Sequence, residues 1–144
     1  MNVREETGMD GMITARGGGR TAAAYTASDL TEPMLIVYRG SAAVVEIAAL
    51  LASGRTAVVL APVHGTTPAD VERAERLAHQ GALLATELGI KAVPRGEAGT
   101  RPAWQVVGDV AEATRAWLVV AGPEAEPLVG QIERPLLVMP DHTA

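Results

Sequence analysis

The chain has 144 residues, enough for one domain with one sizeable core, and a formal net charge of −5. The absence of cysteine excludes disulfides, thiolate metal sites and cysteine nucleophiles, and the lack of a long basic run argues against backbone-driven binding of nucleic acid. Aromatic residues make up 3% with no Phe, so Ala, Val and Leu must fill the core, a composition suited to helices lying close on a sheet.

Residues 1–33 contain the Gly17-Gly18-Gly19-Arg20 run and no sustained apolar period, and they read as a flexible arm. Residues 34–38 are continuously apolar, the pattern of a strand buried on both faces of a parallel sheet. Gly40 and Ser41 form a turn, with Ser41 as the N-cap of a helix over 41–52 that stops at Gly54. Val44, Ile47, Ala48 and Leu51 share one face of that helix. A second buried strand covers 56–63. Thr67-Pro68-Ala69-Asp70 then supplies a capping hydroxyl, a proline at the first helical position and an early acid. The helix it starts runs to about Leu88, with Gly89 as its cap and Val71, Ala74, Ala78, Gly81, Ala85 and Leu88 as its inward stripe.

A third, weaker strand is expected at 90–93 and a third helix at 100–114, with Trp104, Val107 and Ala111 on one face. Strands at 116–121 and 135–139 complete the pattern, and 141–144 form a tail. Strands alternating with helices predict an α/β fold, a single open parallel sheet with right-handed crossovers. Each apolar run is far too short to span a bilayer and no N-terminal segment has the form of a signal peptide, so the expectation is a cytoplasmic protein with no membrane and no nucleic-acid partner.

Few residues offer chemistry. Ser41, His64 and Asp109 supply the residue types of a hydrolytic triad, but the strained Gly-x-Ser-x-Gly elbow is absent and an N-cap role accounts for Ser41. Three scattered histidines have no metal-ligand spacing. A phosphorylated receiver needs acids and a lysine at its strand ends, where this chain has Arg39, Pro94 and Pro140. Trp104 fits a helix core face, and Trp117 opens an apolar strand, where packing or a dimer contact accounts for it. The sequence thus predicts no catalytic residue and no metal.

Four segments resemble the universal stress protein family, over residues 34–140. Leu35-Ile36-Val37-Tyr38 followed by Arg39-Gly40-Ser41 is similar to that family's opening strand, which ends in Asp-Gly-Ser. Glu87-Leu88-Gly89-Ile90 is similar to its passage from the second helix into the third strand. Ala116-Trp117-Leu118-Val119-Val120-Ala121-Gly122 resembles its fourth strand, and Arg134-Pro135-Leu136-Leu137-Val138-Met139 its closing strand. The resemblance implies a five-stranded Rossmann-like sheet in the order 3-2-1-4-5 with helices on both faces, and a homodimer through the last strand at Leu136, Leu137, Val138 and Met139. It also implies ATP held by an acid after the first strand, the end of the second strand and a glycine-rich loop after the fourth.

On this chain those positions are Arg39, Gly40, Ser41, Val63 and Gly122. Arg39 stands where the family has its acid, and no second glycine follows three residues after Gly122. Glu124 and Glu126 put negative charge where phosphates would lie. The expectation is therefore a non-catalytic stress or regulatory module, a homodimer acting through contacts with a protein partner, with weak or no ATP binding and no cofactor. The alternative is an adenine-nucleotide-binding module that uses backbone groups near Val63 and Gly122.

Overall fold

Short apolar runs bounded by turn residues become strands here because both faces of each can be covered. In the computed structural model, which describes residues 32–140 apart from 53 and 55, the element order is β1 (Met34–Val37), α1 (Ala42–Ala52), β2 (Thr56–His64), α2 (Pro68–Glu87), β3 (Lys91–Gly99), α3 (Ala103–Thr114), β4 (Leu118–Ala121), a 3-10 helix (Pro123–Leu128) and β5 (Leu136–Val138). Neighbouring strands all pair in parallel, in the order β3-β2-β1-β4-β5. This is the expected Rossmann-like sheet. Most of the expected arm, the tail and His142 lie outside the described residues. Among the described residues, no helix is long and apolar enough to cross a membrane.

β1 lies between β2 and β4, and its side chains alternate between two cores. Leu35 and Val37 join Val58, Leu60, Val107 and Val119 on the face covered by α3 and the 3-10 helix. Met34 and Ile36 join Val45, Ala48, Val59 and Ala85 beneath α1 and α2. Helices therefore cover both faces.

The capping signals before α2 work as the sequence predicts. Thr67 Oγ1 accepts from the Asp70 amide at 3.1 Å, and Asp70 Oδ2 accepts from the Thr67 amide at 3.1 Å, a reciprocal capping box with Pro68 in the first turn. The helix buries Ala74, Ala78, Gly81, Ala82 and Ala85, so its fully buried side carries nothing longer than a methyl group, with Leu77 and Leu84 packed beside it. Val71 and Leu88 share that stripe but lie at its two ends, and both are exposed. In α1 the buried side is Val44, Val45, Ala48 and Ala52, which leaves Ile47 half-buried and Leu51 exposed.

Two glycines permit the close contact on α2. A Cβ on Gly81 would lie 2.7 Å from Val59 Cγ1 and 2.8 Å from Tyr38 Cγ. A Cβ on Gly96 would lie 2.6 Å from both the carbonyl carbon and oxygen of Ala74, so β3 and α2 meet backbone to backbone. β3 runs for 9 residues, well beyond the expected 90–93, and pairs with β2 along its whole length. Pro94 is tolerated because β3 is an edge strand. α3 starts at Ala103 rather than at 100, immediately after Pro102. The crossover from β4 to β5 holds only the 3-10 helix, in keeping with its short length.

The contact at Gly96 gives a direct prediction. Gly96→Ala should lower unfolding stability by about 1–3 kcal/mol, because the added methyl meets rigid backbone. Gly99→Ala, where a Cβ meets nothing within 4 Å, should stay within about 0.5 kcal/mol of the native value. Urea denaturation of the two variants checks both.

Candidate functional site

In an open parallel sheet, ligands lie beyond the carboxyl ends of the strands, where neighbouring crossovers leave toward opposite faces. Here that point is the β1–β4 junction, since α1 covers one face and the 3-10 helix the other. A cavity of about 270 Å³ opens there, lined by Arg39, Ser41, Gly122, Glu124 and Met139 among others. A larger cavity of about 600 Å³ lies beside it, between the ends of β2 and β3 and α3. Val63, His64, Arg95, Glu97, Arg101 and Asp109 line it, and Arg39 lines both cavities.

The five residues singled out in the sequence are thus divided. Arg39, Ser41 and Gly122 meet in the smaller cavity. Val63 lines the larger one, and Gly40 lines neither of the two. Gly40 makes the β1–α1 turn with φ +103°, a conformation that favours glycine. Ser41 and the pair His64 and Asp109 face different cavities, and Asp109 is held by the Arg101 guanidinium.

The loop after β4 has its own acceptor. The buried Gly122 amide donates to Glu124 Oε2 at 3.2 Å. A Cβ on Gly122 would sit 2.8 Å from Glu124 Oε1, so glycine is what lets the carboxylate fold back onto the backbone. The Gly122 amide thus has an internal anionic partner.

The larger cavity shows what the sequence reading missed. Arg95 and Glu97 project from β3 on the same face as Val93 and are joined by a 2.9 Å contact from Arg95 Nε to Glu97 Oε2. They reach the site only because β3 continues to Gly99. A period-two alternation of Arg95, Glu97 and Gly99 with Pro94, Gly96 and Ala98 was the available signal. Arg39 has no ion-pair partner among the described residues.

Below the His64 turn, Gly65 adopts φ +135° and its backbone lies against the Asp70 carboxylate. The side-chain and backbone hydrogen bonds from Thr67, assisted by the charge of Arg73, hold the Asp70 carboxyl below its ordinary value of 3.8. At the other edge of the sheet, Leu136 packs into the core beneath α3 and Met139 into the one beneath α1. Leu137 remains 36% exposed on β5, and Val138 is partly buried.

No family model matches this sequence, and no curated protein matches it. Solved structures do match. The universal stress protein from Archaeoglobus fulgidus in complex with dAMP is 17% identical, with a TM-score of 0.64 over 76% of this chain and 98% of that one. A universal stress family protein from Burkholderia pseudomallei is 20% identical, with a TM-score of 0.63 over 76% of this chain and 96% of that one. The chain has the fold of the universal stress proteins. A universal stress protein in complex with cAMP is similar too, at 13% identity and a TM-score of 0.62 over 78% of this chain and 98% of that one. At such identities the likeness is one of fold, and the residues at the strand ends decide what this universal stress fold carries.

The lowered Asp70 pKa has a sign that can be measured. A carboxylate whose folded pKa lies below its unfolded value adds stability above about pH 3.8, and that contribution is lost as pH falls through the folded pKa. Asp70→Asn should therefore lower the urea midpoint at pH 7, and the gap from the native protein should close as the pH drops below 3.8. Midpoints measured across that range check it.

Proposed function

We propose that the chain is a non-catalytic stress or regulatory module of the universal stress protein type, working as a cytoplasmic homodimer and holding ATP weakly or not at all. The hydrogen bond from Gly122 to Glu124 carries this reading. A polyphosphate at the β4 loop would have to displace a carboxylate from the amide and then lie beside it, with like charges in contact. Arg39 at the end of β1 adds a cation where a ribose hydroxyl would need an acceptor. The absence of a shared Ser41–His64–Asp109 cavity supports a non-catalytic role.

The β5 edge supports the dimer reading. An edge strand exposes unpaired backbone groups, and Leu137 adds an apolar side chain that a partner would bury. Pairing of β5 with its copy would join two sheets and leave open the larger cavity, which no β5 residue lines.

A second reading is favoured by the ligands of the similar structures. dAMP and cAMP each carry a single phosphate group, and a one-phosphate adenine nucleotide needs less of the β4 loop than ATP does. On this reading, backbone groups near Val63 and Gly122 would recognise the base and sugar.

Titration calorimetry with ATP and AMP, combined with sedimentation of the native chain and of Leu137→Asp, tests the proposal. The expected results are no micromolar ATP binding, a native dimer and a monomeric variant. Micromolar or tighter ATP binding would overturn the nucleotide part. A native monomer, or a variant that still dimerises, would overturn the β5 interface. Binding of AMP without ATP would select the second reading.

A further inference from the structure

The larger cavity shares Arg39 and Val63 with the nucleotide question, and it has charged groups that question does not use. Its volume of about 600 Å³ lies within the range of small-molecule sites, roughly 300–1,000 Å³. α3 packs on β2 and leaves the end of β3 uncovered on this face, which is why the space is open. Its lining combines apolar groups, Pro62 of β2 and Val106, Val110 and Ala113 of α3, with charged ones.

The charges are already partly matched. Glu97 is joined to Arg95, and Asp109 to Arg101. Arg39 is the lining cation with no ion-pair partner among the described residues. Three arginines therefore face two carboxylates, an excess of one positive charge in a chain whose net charge is −5. A guanidinium presents two parallel N–H groups that fit one planar carboxylate. A dianion or a polyphosphate would overshoot the single open charge and meet Glu97 and Asp109.

We propose that the β2–β3–α3 cavity is a binding site for a small organic monoanion, a carboxylate on an apolar or aromatic body, with Arg39 taking the carboxylate. The apolar groups receive the body of the ligand. The two internal ion pairs keep Glu97 and Asp109 from repelling it. This site is separate from the β4 loop but shares Arg39 with the smaller cavity and Val63 with the adenine-nucleotide reading, so a nucleotide bound there would compete with the monoanion.

Benzoate and its neutral analogue benzamide are suitable probes, added to the full chain and followed by amide chemical shifts in NMR spectra. Benzoate is expected to move the amides of Val63, Gly99 and Val110 in a saturable way, and benzamide to bind at least about tenfold more weakly, the loss of one charge-assisted pair. Arg39→Gln should weaken benzoate by a similar factor without altering benzamide, and Arg39→Lys should recover part of the loss. Arg39 is exposed, so both variants should keep the native spectrum elsewhere. No saturable shift with benzoate would overturn the proposal. So would equal binding of benzamide, an unchanged benzoate affinity in Arg39→Gln, or shifts confined to the β4 loop. An ATP titration on the same samples reports separately on the nucleotide reading.

Discussion

β1 is paired on both edges and covered on both faces, and this burial organises the rest of the molecule. Its four residues are between 0% and 1% exposed, so no position on the strand tolerates a polar side chain without a partner. With β2 on one side and β4 on the other, the chain must cross over in opposite directions from the strand at the middle. The carboxyl ends of β1 and β4 then part, and the loops that leave them frame a crevice. Arg39 and Gly122 owe their nearness to that topology and to nothing in their separation along the chain.

The second determinant is the small size of the groups between α2 and the sheet. Without Phe in the chain, the space beneath α2 is filled largely by drawing backbones together. Gly81 lets α2 rest on Tyr38 and Val59, and Gly96 lets β3 touch the Ala74 peptide. Close approach at Gly96 holds β3 in register with β2 as far as Gly99. That extension carries Arg95 and Glu97 to the carboxyl end, so a packing feature on one face builds a cavity on the other.

The helix–strand alternation, the parallel sheet and the capping box at Thr67 and Asp70 were all legible, because each rests on local pattern or on burial of whole strands. Of the edge strand β3, only the start was legible, not its extension to Gly99. Pro94-Arg95-Gly96-Glu97 has the residues of a turn, and only pairing with β2 and the backbone contact to α2 make it a strand. The same gap hid the charged wall of the larger cavity. Val71, Leu51 and Leu88 show the opposite limit: their spacing places them on the inward stripe, but at the ends of a helix spacing does not determine cover. At the β4 loop, the negative charge of Glu124 was plain in the sequence, while its bond to the Gly122 amide required the fold.

That bond is the observation on which the proposal of weak or absent ATP binding rests. The loop keeps the glycine, but the Gly122 amide is satisfied from within, so that donor is not free for an anion. The Gly122 amide resonance, followed by NMR through the carboxylate titration range in the native protein and in Glu124→Gln, tests this most directly. The account predicts that the native Gly122 proton shifts as a carboxyl group titrates and that the shift disappears in the variant. A Gly122 amide that shows no such titration, or one that titrates identically without the Glu124 carboxylate, would contradict it.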